Sequence, residues 1–271
     1  MEPIATLLAR LTDALPLALK GDPVALKKAR TTGRRLRVLL PLATSELPKK
    51  RCLRLTEATR TLTRALGSVR DLDAQQELLS AAQTTATKSE LPGFAFAHRL
   101  LQKRRRQALK RVCRREAARR WLKQAGPATG LLAAEVVEER PATAEEVKLA
   151  AQAALGFDTP IRDPKNIAEL HALRIAIKRL RFTLSRVPET EKSLKQLVAN
   201  LQTILGTIHD LDILRVWLRG LESEKKRRLR PTRRQRESLA TLRRRFQTER
   251  GAAYLVFREQ WEAALPTLRE L

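Results

Sequence analysis

Apolar residues recur at intervals of three and four along most of this chain, which is the period of a helix with one buried face. In and just after the stretch HALRIAIKRLR at 171 to 181, such a face is formed by Leu173, Ile177, Leu180 and Leu184. No segment alternates convincingly between apolar and polar residues as a half-buried strand does. The pattern predicts an all-α protein with helices at 3–19, 22–41, 48–66, 69–84, 95–124, 130–139, 144–155, 164–186, 189–205, 208–229 and 232–263.

Capping residues mark three of these helix starts. Asp22-Pro23 and Asp163-Pro164 each place a carboxylate before a proline, which suits the first helical position because the N–H that it lacks would have no helical partner there. Thr143 and Glu146 have the spacing of a capping box. We therefore predict that helices begin at these three points.

The polar side of the helix at 171 to 181 carries a line of cations. At about 100° per residue, His171, Arg174, Lys178 and Arg181 fall within a narrow arc opposite the apolar face. Like charges at these spacings destabilise a helix by a few tenths of a kcal/mol per pair. An anion outside the helix should therefore compensate the line of cations, which we call stripe 2.

The same pattern occurs earlier in the chain. KKARTTGRRLRVLL at 27 to 40 resembles HALRIAIKRLRFTL at 171 to 184. The cations that correspond to stripe 2 form stripe 1, which consists of Lys27, Arg30, Arg34 and Arg37.

A second block also occurs twice, in the same order. LGSVRDLDAQQELL at 66 to 79 resembles LGTIHDLDILRVWL at 205 to 218, so the two copies of each block are separated by nearly equal lengths of chain. Two blocks repeated in this way indicate an internal duplication. We therefore predict two similar helical halves, 1–140 and 141–271, packed together as one domain.

We interpret the second block as structural. Gly67 and Gly206 would each end a helix in a left-handed turn, and Ser68 with Asp71, or Thr207 with Asp210, would cap the next helix. The two later acids, Asp73 and Asp212, would pair with neighbouring arginines. A magnesium site at this DxD pattern is disfavoured, because the chain is rich in cations and has no Gly-rich phosphate loop.

The charge points to the kind of partner. The 55 Lys and Arg exceed the 29 Asp and Glu by 26, and the pI is near 11.3, which favours a polyanion. A run of cations is commonly only a solvated helix face. Three features favour binding by the stripes instead: they recur in both halves, no acid lies at 23–45 or 170–188, and arginine, whose fork suits phosphate oxygens, predominates. Two such stripes facing each other would form a basic groove.

The cysteines, the histidines and the apolar segments of the sequence bear on the expected cellular location and on metal, disulfide and membrane contacts. Cys52 and Cys113 are far apart without CxxC spacing, and three histidines are too few to favour a zinc site. Arg10 and Asp13 interrupt the apolar N-terminus, unlike a signal peptide, and no apolar run approaches the ~20 residues of a membrane span. We expect a cytoplasmic protein with no disulfide, metal, cofactor or membrane contact.

The repeated blocks (H/K)xxRxxxxRLR and LGxxxDLD, in an all-helical chain, resemble the CHAD family, the conserved histidine α-helical domain. In that family the blocks commonly read HxxRVxxRRLR and LGxxRDLDV, so Lys27 stands where a histidine is usual and replaces a titrating group with a permanent cation. The resemblance implies two four-helix-type bundles related by a pseudo-twofold axis around a basic central cavity. It also implies binding of inorganic polyphosphate, with polyphosphate granules as a candidate location. The matching basic positions are Lys27, Arg30, Arg34, Arg35, Arg37, His171, Arg174, Lys178, Arg179 and Arg181.

Two other functions stay open on the sequence. Aromatic residues make up 4% of the chain and stripe 2 has only Phe182 at its end, which disfavours single-stranded nucleic acid because unpaired bases would have little to stack on. Duplex nucleic acid, bound through its phosphates, remains a competing polyanion. An enzyme acting on polyphosphate would need a general base, metal carboxylates or a nucleotide loop near the stripes, and none has suitable spacing.

The remaining candidates have mainly structural interpretations. His98 lies in a very basic helix without a nearby acid to orient it, so we expect a surface or packing role. His209 takes the second-block position of Arg70 and is also interpreted as structural. The basic segment 225–236 is either a second polyanion contact or a solvated hinge. Three tryptophans are predicted to lie in the core: Trp121, Trp217 and Trp261.

Overall fold

The computed structural model describes residues 3–42, 47–114, 116–131, 141–187, 189–224 and 230–271. These residues form nine α-helices and no β-strand, which confirms the all-α fold class. The helices are α1 (Ile4–Lys20), α2 (Pro23–Leu39), α3 (Lys49–Gln83), α4 (Leu91–Arg114), α5 (Ala117–Leu131), α6 (Ala144–Leu155), α7 (Ile167–Leu184), α8 (Lys192–Glu222) and α9 (Arg233–Arg269). Most of the predicted helix 130–139, and residues 225–229 of the basic segment, lie outside the described residues.

The chain divides into two compact units. Unit 1 comprises Met1–Thr84 and His98–Glu139, and unit 2 comprises Thr85–Ala97 and Arg140–Leu271. Residues 85–97, which the sequence placed within the first half, therefore group with unit 2. The long helix predicted at 95–124 is two helices, because Glu116 between α4 and α5 has a positive φ of 35° that interrupts the helical backbone.

Unit 1 is built around α1, α2, α3 and α5. α2 packs against α1 and α3, and α5 packs against both α1 and α3. The leucines of these helices and Trp121, which is fully buried, form its core, and the Trp121 indole N–H donates to Thr59 Oγ1 at 3.0 Å. The predicted core position of this tryptophan is confirmed.

Unit 2 has a corresponding arrangement of α6, α7, α8 and α9. α7 packs against α6 and α8, and α9 packs against α8 and α6. Phe257 and Trp261 are fully buried in its core, and Trp217 is also buried. The Trp261 indole N–H donates to Asp158 Oδ1 at 2.8 Å, which lowers the pKa of that carboxyl and ties α9 to the chain after α6.

Two of the three predicted helix starts are confirmed. Asp22 caps α2 by accepting from the Ala25 N–H, and Thr143 with Glu146 forms the predicted capping box of α6. The start at Asp163-Pro164 is wrong, because the Asp163 carboxylate accepts from the Lys165 N–H at 2.8 Å and closes a local turn. α7 begins after that turn, at Ile167.

The predicted helix ends at Gly67 and Gly206 are wrong, since α3 and α8 each run through their glycine without a break. Ser68 Oγ donates to the Ala65 carbonyl and Thr207 Oγ1 to the Thr203 carbonyl, so neither caps a helix. The reason is a buried face whose spacing of three and four continues past the glycine. In α3 this face is Cys52, Leu55, Thr59, Leu62, Leu66, Val69 and Asp73. In α8 the equivalent positions of the duplicated unit are buried too: Val198, Leu201, Leu205, Ile208 and Asp212.

In the part of the chain that the structure describes, no helix is long and apolar enough to cross a membrane.

Candidate functional site

Stripe 1 lies on the face of α2 away from its buried residues. α2 buries Leu26, Ala29 and Leu36 against α1 and α3, and this leaves the stripe cations on the outer side. Lys27, Arg34 and Arg37 are exposed, whereas Arg30 is half-buried. The other predicted residue of this helix, Arg35, is exposed but lies about 80° around the helix from Lys27, away from the stripe arc.

Stripe 2 has the same placement on α7. Leu170, Leu173, Ile177 and Leu180 are buried at the positions that align with Leu26, Ala29, Gly33 and Leu36 of α2. His171 and Arg174 are half-buried, while Lys178, Arg179 and Arg181 are exposed. Arg179 lies off the arc, as Arg35 does. In each unit the structure thus brings four of the five predicted residues onto one line and sets the fifth aside.

The repeated glycines lie beneath the central arginine of each stripe. A Cβ added to Gly67 on α3 would lie 3.4 Å from Arg30 Nε, and one added to Gly206 on α8 would lie 4.0 Å from Arg174 Nε. A larger side chain at either position would take the space of the guanidinium. The sequence interpretation missed this role, although the occurrence of both blocks together in each half of the chain was a signal for it.

The two arginines differ in their partners. Arg30 Nη2 lies 3.8 Å from Asp71 Oδ1, but that carboxylate is 70% exposed, so the pair contributes little. Arg174 Nε is buried and has no hydrogen-bond partner among the described residues. A buried N–H without a partner carries a desolvation cost, and an anion bound at the stripe would offset it.

His171 is joined by a histidine from the second block. The His171 ring on α7 and the His209 ring on α8 are 4.5 Å apart between centroids, at an interplanar angle of 33°. His209 is therefore not part of a helix cap. Burial lowers the pKa of His209 most, the charges of Arg174 and His171 lower it further, and Asp210 and Asp212 oppose the shift.

The second acid of each repeated block holds an arginine of a later helix, which is half-buried in unit 1 and buried in unit 2. In unit 1, Asp73 Oδ1 accepts from Arg105 Nε on α4, and Arg105 Nη2 also donates to the Gly21 carbonyl at 2.6 Å. In unit 2, Asp212 accepts from Arg250 on α9 at 3.2 and 3.4 Å, and from Arg215 at 2.9 Å. The predicted pairing of both aspartates with arginines is confirmed, and these ion pairs fix the helix that presents the glycine.

The described residues hold no group of three or more His, Cys, Asp or Glu side chains that would bind a metal ion. His98 Nδ1 lies 3.2 Å from Gln76 Nε2, a contact between α4 and α3, and burial lowers its pKa. This contact confirms the packing role predicted for His98.

Comparison with known proteins places this geometry in a family. The CHAD domain model matches residues 3–219 and, in an overlapping second match, residues 162–267. The chain belongs to the CHAD family. The resemblance inferred from the two repeated blocks is therefore confirmed, and this family is associated with polyphosphate binding.

Solved structures show that the CHAD fold extends over nearly the whole chain. PptA from Streptomyces chartreusis has a TM-score of 0.64 and 17% sequence identity, with 96% of each chain covered. The CHAD domain from the plant Ricinus communis has a TM-score of 0.62 and 21% identity, with 96% of this chain and 89% of that chain covered. Comparison with curated proteins gave no match.

Proposed function

We propose that this protein binds inorganic polyphosphate through stripe 1 and stripe 2, and that it does so without catalysing a reaction. The observation that carries the proposal is the arginine held against a glycine in both units, Arg30 on Gly67 and Arg174 on Gly206. In each unit this arginine belongs to a line of cations, and the surrounding sequence, 23–45 for stripe 1 and 170–188 for stripe 2, contains no acid.

A line of like charges at helical spacing is unfavourable in the empty protein, and a chain of closely spaced phosphates would neutralise it over its whole length. Arg174 Nε is buried without a hydrogen-bond partner in the described part of the chain, and a phosphate oxygen would accept the hydrogen bond that its N–H can donate. The family's association with polyphosphate binding supports the same ligand.

The proposal places the protein in the cytoplasm, with polyphosphate granules as a candidate location. Duplex nucleic acid is the alternative ligand, because a net charge of +26 attracts any polyanion. A polyphosphate-processing enzyme is the weaker alternative. The later carboxylate of each second block is already engaged, since Asp73 and Asp212 are bound to arginines.

A titration of the purified protein against polyphosphate, RNA and duplex DNA, at matched phosphate concentration, tests the choice of ligand. We expect the tightest binding to polyphosphate and a steep log-linear loss of affinity with salt, by analogy with the ~0.7 to 0.9 counterions released per phosphate contact in nucleic acids. Tighter binding to duplex DNA, with polyphosphate displaced, would favour the alternative. Release of phosphate from labelled polyphosphate in the presence of magnesium would show an enzyme.

A further inference from the structure

Two histidine rings from different helices are in contact in unit 2. His171 comes from stripe 2, whereas His209 comes from the second repeated block, and their ring centroids are 4.5 Å apart. Arg174 lies one turn after His171 on α7, and its Nε is near Gly206, one turn before His209 on α8. Three basic side chains from two helices are therefore gathered at one place.

Two polar atoms of this cluster are buried without partners. His171 Nδ1 and Arg174 Nε have no hydrogen-bond partner among the described residues. Buried nitrogen atoms of this kind are uncommon in folded proteins, and they are expected where a ligand or water completes the site. A phosphate oxygen accepts hydrogen bonds from both imidazolium and guanidinium groups, so it would satisfy both atoms when His171 is protonated.

The duplicated unit provides an internal comparison. When the repeated blocks are aligned, His171 corresponds to Lys27 and His209 corresponds to Arg70. Unit 1 thus has a lysine and an arginine at these positions, which carry a permanent charge at neutral pH, whereas unit 2 has an imidazole at both, the side-chain type that can gain or lose a proton in this range. Arg70 is also held by Glu77 through bonds of 2.9 and 3.0 Å, and the position corresponding to Glu77 in unit 2 is Val216.

The surroundings of His209 favour its neutral form in the free protein. Burial, Arg174 and His171 lower the pKa of His209. Asp210 and Asp212 act in the opposite direction. Asp212 is already bound to Arg250 of α9 and to Arg215 of α8, which weakens its effect on the histidine. A bound phosphate would add negative charge beside both rings and reverse the balance.

We propose that His209 joins His171 and Arg174 as a phosphate-binding residue, and that phosphate binding by unit 2 takes up protons at the two histidines. This inference rests on the proposed function. It assigns the two units different behaviour: unit 1 binds phosphate with permanent charges, and unit 2 binds it with charges that appear as the pH falls.

The direction of the pH effect follows from linkage. Because the bound state holds more protons than the free state, affinity rises as pH falls through the region between the histidine pKa values of the free and bound protein. Each proton taken up changes Kd by about tenfold per pH unit, and the pair can take up at most two. Long-chain polyphosphate is the suitable probe because its internal groups stay ionised throughout this region.

The test is calorimetric titration of the intact protein with long-chain polyphosphate between pH 5.5 and 8, in buffers that differ in ionisation enthalpy. The dependence of the apparent enthalpy on the buffer gives the number of protons taken up directly. We expect net uptake near pH 6.5 in the wild type. The double variant His171→Lys and His209→Arg, which installs the residues of unit 1, should bind with little uptake and should bind more tightly than the wild type at pH 8. His98→Gln, which removes the third histidine of the chain, is the matched control and should leave proton uptake unchanged.

Undiminished uptake in the double variant, or loss of uptake in His98→Gln, would overturn the inference. Binding without proton uptake in the wild type would also overturn it while leaving the proposed function intact, whereas no polyphosphate binding at any pH would contradict the proposed function itself. If the double variant fails to fold, the reciprocal variant Lys27→His and Arg70→His gives the same decision. It should bind with more proton uptake than the wild type, and unchanged uptake would count against the inference.

Discussion

Replacing Gly67 with alanine tests whether the repeated glycine ends a helix or lies within one. In the structure Gly67 is inside α3, where a glycine costs about 0.5–1 kcal/mol relative to alanine. The added Cβ would lie 3.4 Å from Arg30 Nε, which is an ordinary contact with a side chain that is itself half-buried. We therefore expect Gly67→Ala to raise the free energy of unfolding by about 0.5–1 kcal/mol.

Gly33→Ala on α2 is the matched comparison. There the added Cβ would lie 2.7 Å from Thr63 Oγ1, which is fixed by its hydrogen bond to the Thr59 carbonyl. Overpacking of this kind costs about 1–3 kcal/mol and exceeds the gain in helix propensity, so Gly33→Ala should destabilise. Denaturant unfolding followed by circular dichroism measures the free energy of unfolding of both variants. If Gly67→Ala destabilised as much as Gly33→Ala, the expectation that alanine fits beside Arg30 within a continuous α3 would be refuted.

Three further predictions follow from the same contacts. Asp212→Ala removes the partner of Arg250, which is only 4% exposed, and should lower the free energy of unfolding by about 3–5 kcal/mol. Asp71→Ala, at an exposed carboxylate, should lower it by less than about 0.5 kcal/mol. Similar losses for both variants would show that Asp212 is not buried in an ion pair. Because the pKa of His209 in the folded protein lies below its ordinary value, the unfolded chain binds more protons, so the ligand-free protein should lose stability as pH falls below about 6.5. Thermal unfolding of wild type and His209→Gln across pH 5 to 8 measures this, and an equal loss in the variant would contradict it. Affinity for polyphosphate should fall log-linearly with salt, and a flat dependence up to a few hundred millimolar would exclude binding through several phosphates.

The helical fold was predictable because its signal is local. Buried positions three and four residues apart, such as Leu173 and Ile177, identify the helices from the sequence alone. The two stripes and the duplication were also visible, because they depend only on the identity and spacing of residues. Asp22 and Thr143 could be assigned as caps for the same reason.

The site could be predicted only in part, because its remaining features depend on contacts between helices. Glycine is the residue type that commonly ends a helix, but in the folded protein Gly67 makes room for Arg30 from another helix. His209 has no sequence neighbour that reveals its contact with His171, which lies on the preceding helix, α7. Asp163 is followed by a proline, as Asp22 is, yet its carboxylate closes a turn rather than capping a helix. In each case packing decided between two locally acceptable structures.

The proposed function requires that the equivalent arginine of each stripe contacts bound polyphosphate. The most direct measurement is the Kd for long-chain polyphosphate of the variants Arg30→Ala and Arg174→Ala. The controls are Arg120→Ala in unit 1 and Arg233→Ala in unit 2. These two arginines lie outside the stripes, and their side chains are 76% and 92% exposed. We expect each stripe variant to lose about 1–3 kcal/mol, or roughly 5- to 150-fold in Kd, by similar amounts and with the salt slope lowered by about one contact. The two controls should lose clearly less. If the stripe variants bound as tightly as the wild type while the controls lost affinity, polyphosphate would bind elsewhere and the stripes would be solvated helix faces.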